Sequence, residues 1–378
     1  MTRSAAKVAI DARLLAQRRG GIARYVDALL RWLPRVAPDL ELAAVVNRPS
    51  VDSSVPEICV RTPPHFRFER ISLGAELGLR RIRLIHSPDF IAPATIQARR
   101  VITVHDLAFL RYPAFLERDA LRYYIQLERS LCVADRVIAV SAYTASQLIE
   151  LTRVSRDKIT IIPNGTDAVS FEMTREEAKA ILLRELGPKI AERVNADRPV
   201  ILAVGTIEPR KRHELLIEAV AKLGTSDRGL QPTLILVGQT GWACDTIVAR
   251  IERAERDGSV IWLREVNDDV LSALYQSVTV LAIPSIDEGF GLPMLEAMSS
   301  GLAVVAARRG ALPEVAGDAA ILLDSDEPDA WAEALRQLIS DSALRGSLAE
   351  LGRKRGNELT WERSAELTAT VYREVLGR

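Results

Sequence analysis

The densest chemical signal in this 378-residue sequence is Glu288-Gly289-Phe290-Gly291-Leu292-Pro293-Met294-Leu295-Glu296, which follows an apolar run ending Ile283-Pro284-Ser285. Glycines at a helix start let backbone N–H groups approach a phosphate closely. The helix dipole favours its negative charge, and Pro293 takes a first-turn position that needs no donor. The segment reads as a diphosphate cradle. Glu296, about one turn inside the helix, can grip a vicinal diol, and Glu288 faces whatever hangs from the phosphates. Sugar and ribose hydroxyls suit both.

A second loop, Gly205-Thr206-Ile207-Glu208-Pro209-Arg210-Lys211, lies between a strand over Val200 to Val204 and a helix over Glu214 to Lys222. A rigid guanidinium fork beside a compact ammonium suits a departing diphosphate, on which charge builds as a glycosidic bond breaks. Gly20-Gly21 opens a helix near the amino end, and His105 ends the run Val101-Ile102-Thr103-Val104-His105, at a strand's carboxyl end. His65, His86 and His213 read as structural hydrogen-bonders. Asp324-Ser325-Asp326 superficially matches a metal-binding DxD, but Glu327-Pro328 and a helix follow it, so turn and cap chemistry is expected.

Several chemistries lack their residues. There is no GxGxxG, no GxxxxGK[ST] and no GxSxG, which removes the main support for dehydrogenase, P-loop ATPase and acyl-enzyme readings. No His/Cys/Asp/Glu cluster has metal-ligand spacing, so neither a metal nor a cofactor is expected. Cys59, Cys132 and Cys244 are odd in number and far apart, which fits a reducing compartment better than a disulfide framework.

The elements that must position these residues are βα units. Short β-branched runs alternate with helical patterns throughout, the signature of parallel sheets. The first series of strands is Val8 to Ala12, Leu42 to Val46, Leu84 to His86, Val101 to His105, Arg136 to Val140 and Ile159 to Ile162. Helices are expected over Ile22 to Leu33 and, capped by Ser141, over Ala142 to Leu151. The second series is Val200 to Val204, Leu234 to Val237, Val260 to Leu263, Val278 to Ile283, Ala303 to Ala306 and Ala319 to Leu323. The pattern weakens through Gly187-Pro188 and Asn195 to Pro199, which places a first domain at 1–188 and a second at 199–360. After Asp329 the chain reads as helical, ending in a segment from Trp361 to Leu376. The fold class is α/β, two doubly wound Rossmann-like domains whose strand ends face a cleft.

Composition agrees with a globular enzyme, at 48% apolar and 26% charged residues. Fifty basic and fifty acidic side chains balance, which argues against a nucleic-acid partner. Residues 1–190 nevertheless hold 29 basic and 21 acidic side chains, so the first half could face something anionic. No signal-peptide pattern and no apolar stretch near the roughly 20 residues of a membrane span is present. A cytoplasmic protein, peripheral at the inner membrane face, is the expectation.

Together these segments resemble a retaining glycosyltransferase of family 4 with the GT-B architecture, over nearly the whole chain. The resemblance also rests on Ile10-Asp11-Ala12-Arg13, Gly21-Ile22-Ala23-Arg24-Tyr25, Ala134-Asp135-Arg136-Val137-Ile138-Ala139-Val140-Ser141, Ile162-Pro163-Asn164-Gly165 and Pro313-Glu314-Val315. It implies that Glu288 and Glu296 form the family's E-x7-E pair, holding the donor sugar's hydroxyls and the nucleotide ribose. Arg210 and Lys211 would grip the diphosphate, supported by Gly289, Phe290, Gly291 and Leu292. His105 would stand beside the transferred sugar, Gly20-Gly21 would close over donor phosphate and acceptor, and the last helix would cross back to the first domain. Arg264, where relatives usually carry glycine, and Ser277-Val278-Thr279, in place of a common Ala-Asp pair, depart from the pattern near the base pocket, where Val266 also lies.

The resemblance therefore implies metal-independent transfer of a hexose from a nucleotide-sugar donor, in a group that often uses GDP-mannose for surface polysaccharides. The acceptor would be a saccharide or polyprenyl-diphosphate-linked hydroxyl, at an anionic membrane. Two rivals use the same residues: a nucleotide-sugar epimerase, which needs no acceptor, and a non-catalytic nucleotide-sugar-binding protein.

Overall fold

The computed structural model describes residues 6–16, 20–49, 54–94, 97–113, 126–167, 173–195, 198–226 and 230–377. The chain divides into two units, Met1–Gly165 with Leu359–Arg378, and Thr166–Glu358. Each is built on its own parallel sheet, and the strands are buried because helices cover both faces.

The first unit carries β1 (Ala6–Asp11), β2 (Leu40–Val46), β3 (Glu57–Cys59), β4 (Leu84–Ser87), β5 (Arg99–Val104), β6 (Arg136–Ala139) and β7 (Ile159–Ile161). Their order is β3-β2-β1-β4-β5-β6-β7, so the direction of winding reverses between β1 and β4. Ile10 sits between Ala44 and His86 in register. The second unit carries β8 (Val200–Val204), β9 (Thr233–Val237), β10 (Val260–Leu263), β11 (Val280–Ile283), β12 (Val304–Ala307) and β13 (Ile321–Leu323). Their order is β10-β9-β8-β11-β12-β13, with the reversal between β8 and β11. Val280 pairs Ile201 and Leu281 pairs Leu202, which brings the loops leaving β8 and β11 side by side. Such a reversal opens a crevice beyond the strand ends, because the two loops turn to opposite faces.

Two sequence expectations change. The short edge strand β3 was not anticipated, since three residues offer too little pattern to register as a strand. The expected first domain, 1–188, ends too late. The helix Arg175–Leu186, opened by a Thr174–Glu177 capping box, belongs to the second unit and packs on the helix Asp268–Ser277. Its spacing marks buried positions at Ala178 and Leu182 but cannot say which unit they will pack into.

The carboxyl-terminal helix, Trp361–Leu376, does return to the first unit, where it packs along the helix Gly21–Val36. A buried polar chain fastens it. Tyr372 Oη lies 2.6 Å from His86 Nδ1, His86 Nε2 lies 2.8 Å from Thr103 Oγ1, and Tyr25 Oη lies 3.0 Å from the same hydroxyl. Outside, Arg373 Nη2 reaches Asp39 Oδ1 at 2.6 Å. Gly165 lets the helix start approach, for a methyl group there would collide with the Thr360–Trp361 backbone.

Burial, together with the neighbouring His105, holds the His86 imidazole neutral, its pKa pushed down to about 3. In the unfolded chain the same group titrates near about 6.5, so only the unfolded state gains protons across the interval between these values. Its stability contribution is complete above about pH 6.5 and shrinks on acidification towards pH 3, by at most about 1.4 kcal/mol per pH unit. His86→Gln should lower stability at neutral pH yet flatten the fall of unfolding free energy between about pH 6.5 and pH 4.5, measured by urea denaturation. An unchanged slope would contradict a neutral, buried imidazole.

Candidate functional site

Where β8 and β11 end side by side, the two signature loops meet. Ile286 N–H donates to the Arg210 carbonyl at 3.0 Å, clipping one loop to the other. Lys211 Nζ then lies 2.5 Å from Glu288 Oε1, and Ser285 Oγ donates to the same oxygen at 2.8 Å. Arg210 spans the cluster. Its Nε and Nη2 contact Glu208 Oε1 at 3.0 and 2.8 Å, and its Nη1 donates to the Asp287 carbonyl at 2.8 Å and stands 3.8 Å from Glu288 Oε2. The Arg210 and Lys211 side chains are 17% and 14% exposed, so this is not a solvated helix start but a partly buried charge cluster.

Local chemistry explains how the loop holds cations there. Pro209 begins a single 3₁₀ turn, Pro209–Lys211, and Arg212 follows in the left-handed region at φ 52°, turning the chain sharply into the helix His213–Ser226. Gly238, in the loop after β9, lies so close to the Gly205 carbonyl that a side chain would collide with it. His213 is buried beneath the loop, its Nε2 3.3 Å from the Thr206 carbonyl, and burial pushes its pKa down to about 4. It is a structural support, as expected for this histidine.

Burial alone would raise the pKa of the Glu288 carboxyl. The charges of Lys211 and Arg210 and the hydrogen bonds from Lys211 and Ser285 overcome it and hold Glu288 below the ordinary carboxylate range. It is therefore an anion at neutral pH, with two cations beside it. Such a cluster can take hydroxyl donors on the carboxylate and phosphate oxygens on the cations.

Gly291 starts the following helix, Leu292–Ser299, as its amino-terminal cap at φ 96°. Phe290 and Leu292 are buried on either side of it, and Gly289 is buried too. Within the helix Glu296 is also buried, and Tyr275 Oη donates to its Oε2 at 3.0 Å. Val266 stands half-buried in the loop after β10, two strands from β8. Beside it Arg264 lays its guanidinium over the Trp262 ring, 3.8 Å from the centroid. The structure thus joins Arg210, Lys211 and Glu288 directly and puts Gly289 to Leu292 and Glu296 on the continuing turn and helix.

His105, Gly20 and Gly21 belong to the first unit. Gly20 caps the helix Gly21–Val36 in an extended conformation with open space at its Cβ position. His105 follows β5, its Nε2 2.9 Å from the Pro88 carbonyl, and burial lowers its pKa. Tyr25, one turn into the helix after the glycines, meets the His105 ring edge-on at a centroid distance of 5.1 Å. One aromatic contact thereby ties the glycine turn to the histidine.

The sequence reading missed Ser285 as a partner of Glu288, Tyr275 as a partner of Glu296, and Gly310. Gly310, at φ 60°, lets its backbone pass beneath Glu288, and Ala311 N–H donates to the Glu288 carbonyl at 2.8 Å. Tyr275 and Gly310 act on residues more than 20 positions away, which their local sequence does not mark, whereas Ser285 lies only three residues before Glu288 and could have been found from the loop itself. The Asp324-Ser325-Asp326 segment is tied up in ion pairs with Arg308, Arg309 and Arg212, and Ser325 Oγ accepts from Glu327 N–H.

A Cβ at Gly310 would stand 2.6 Å from the Glu288 backbone N and O. Gly310→Ala should therefore lower stability by about 1–3 kcal/mol. Gly377→Ala, left-handed at φ 70° but with nothing within 4 Å, should cost only about 1 kcal/mol. Equal shifts in urea midpoint for the two variants would disprove the close approach under Glu288.

The family model for Glycosyl transferases group 1 matches residues 189–355, and that for Glycosyltransferase Family 4 matches residues 19–169. O-antigen chain mannosyltransferase B of Escherichia coli is 32% identical over 291 residues, covering 77% of this chain and 74% of the relative. Sucrose-phosphate synthase from Thermosynechococcus elongatus superposes with a TM-score of 0.80 at 22% identity, covering 98% of this chain and 99% of the other. The Anabaena protein HepE in complex with UDP and glucose superposes with a TM-score of 0.76 at 19% identity, again covering 98% and 99%. These two share the fold. With both family models in sequence, the two parallel-sheet units and the charged cluster at the second unit's strand reversal, the chain belongs to the group 1 glycosyltransferases of family 4 and has the GT-B fold.

Proposed function

We propose that the protein transfers a hexose, with retention of configuration and without a metal ion, from a nucleotide-diphosphate sugar to a saccharide or polyprenyl-diphosphate-linked hydroxyl. The observation that carries this reading is the Arg210–Lys211–Glu288 cluster at the start of the Gly291-capped helix. Two cations beside a helix amino terminus suit a diphosphate, and a carboxylate held ionised among them suits a sugar hydroxyl. Glu296, steadied by Tyr275, would take the ribose diol.

In this reading the bond from the anomeric carbon to the donor phosphate breaks, and its electron pair stays on the phosphate oxygen. Arg210 and Lys211 stabilise that charge as it grows, the largest electrostatic demand of the reaction. The acceptor oxygen attacks from the same face, and its proton passes to the departing phosphate. His105 and the Gly20-Gly21 turn, on the first unit, would position the transferred sugar and the acceptor. No protein nucleophile and no divalent ion is called upon.

Mannose from GDP-mannose is the donor this reading favours, supported by the mannosyltransferase name of the E. coli relative. The Anabaena neighbour's complex with UDP and glucose makes the UDP series the natural comparison. Thermal-shift screening against GDP-, UDP-, ADP- and TDP-sugars should show the largest stabilisation with GDP-mannose. A larger shift with another base would replace the donor while leaving the mechanism standing.

Lys211→Ala, folded by circular dichroism, should cut turnover at donor saturation by about 10²–10³-fold, the usual loss of one group that stabilises transition-state charge. Chelator should leave the wild type active. Wild-type turnover in the variant would remove Lys211 from the mechanism. Consumption of donor to an isomerised sugar without acceptor would replace transfer by epimerisation.

A further inference from the structure

The helix Glu69–Leu77 in the first unit is apolar on the side that should be polar. Its inner face buries Leu73 and Leu77, as a helix covering a sheet must. Its outer face presents Phe68, Ile71 and Ala75, and Leu79 continues the line just past the helix end. Phe68 is 53% exposed, Ile71 63% and Leu79 94%. Spacings of three and four residues put these side chains in one stripe. Phe66, 41% exposed, extends it, its ring 5.9 Å from that of Phe68. Large apolar residues scattered singly need no explanation, whereas a continuous stripe on an outward helix face does.

The charges along this stretch are predominantly basic. Between Arg61 and Arg83 the chain carries six arginines and two glutamates. Both glutamates are engaged by the protein, Glu69 in the interior and Glu76 half-exposed at the surface. Glu69 is buried against Arg13, and Glu76 accepts from the Arg61 and Thr62 backbone. Arg67 lies over the Phe68 ring at 5.2 Å, and Arg80 and Arg81 are exposed beside Leu79. On the helix itself, burial and the like charges of Arg129 and Arg100 lower the pKa of Arg70, which shows basic groups gathered from three segments.

We infer that this face is a membrane-docking surface, on which Phe66, Phe68, Ile71 and Leu79 enter the headgroup boundary of an anionic bilayer while Arg67, Arg80 and Arg81 meet lipid phosphates. Aromatic and aliphatic side chains on one face, flanked by arginines, make the pattern of a helix lying in the interfacial plane. Among the described residues no helix is long and apolar enough to cross a membrane, so contact of this kind is lateral. A second copy of the chain fits the patch less well. A two-fold contact would set the same arginines against one another, with Glu69 buried on Arg13 and Glu76 held by the Arg61–Thr62 backbone. The inference names the site of the membrane contact implied by a lipid-linked acceptor but does not rest on sugar transfer, since vesicle binding needs neither donor nor acceptor.

The test is co-sedimentation of the full chain with vesicles of phosphatidylcholine, with and without phosphatidylglycerol. Wild type should bind the anionic vesicles, more weakly as salt rises, and leave the neutral ones largely free. Arg80→Ala with Arg81→Ala should weaken anionic binding about 25-fold, about five-fold for each charge lost near the surface. Phe68→Ser with Ile71→Ser should abolish it while leaving the thermal midpoint and transfer to a water-soluble acceptor unchanged. Failure of the wild type to bind, or undiminished binding by both variants, overturns the inference. So does concentration-dependent self-association that the Phe68→Ser, Ile71→Ser variant abolishes, which would assign the stripe to a second copy. None of these outcomes touches donor binding, so failure here is distinguishable from failure of the glycosyltransferase reading.

Discussion

The ion pair between Lys211 and Glu288 depends on the order of strands more than on either residue. Their 77 positions of separation are spanned only because β8 and β11 are neighbours at the sheet's reversal, with Val280 beside Ile201. Any other strand order would leave an ammonium on one loop and a carboxylate on another, each paying for partial burial alone. Once together, each makes the other's burial tolerable, and Ser285 and Arg210 fix the carboxylate further. The site is thus a consequence of parallel winding, and the turn at Pro209 and the glycine at 310 exist to let it close.

The first unit joins distant segments with one charged cluster and one neutral chain. At the reversal between β1 and β4, Arg13 is buried, with its guanidinium on Asp11 at 2.6 Å, on Glu69 at 2.5 Å and on the Thr62 carbonyl at 3.0 Å. A few residues away the chain His86, Thr103, Tyr25 and Tyr372 carries no charge, because burial keeps the imidazole unprotonated. Neutral links cost less to bury than ions and still demand exact geometry, which suits the fastening of a helix contributed by the far end of the chain. Through Tyr25 the same chain reaches His105, so the returning helix and the expected site histidine share one support.

Much of this was legible in the sequence, for reasons that can be named. Twelve of the strands carry β-branched runs flanked by turn residues, and Ser141 signalled its helix start, where its Oγ does accept from Thr144 N–H at 2.9 Å. The Glu288 to Glu296 segment was legible because its chemistry is local, a glycine turn and a helix first turn within nine residues. The domain boundary was not, because the buried Ala178 and Leu182 of Arg175–Leu186 do not name the unit they pack into. Tyr275 and Gly310 were illegible for the same reason, since their partners Glu296 and Glu288 lie far away in sequence, whereas Ser285 stands only three residues before Glu288 and its role was open to a local reading.

The outward stripe of Phe68, Ile71 and Leu79 belongs to a third category, present in the sequence but masked by the inward one. Over Glu69–Leu77 apolar residues stand at 71, 73, 75 and 77, a period of two that matches no single helix face and so spreads them over both faces. Only the position of the helix at the protein's exterior separates the side that packs from the side that does not. Arginine spacing adds the distinguishing sign, because Glu69 is neutralised internally by Arg13 and Glu76 is held by the Arg61–Thr62 backbone. A balanced composition therefore conceals a segment rich in exposed arginine. The overall excess of basic residues in 1–190 becomes a local field, since field strength at a surface depends on where the countercharges point.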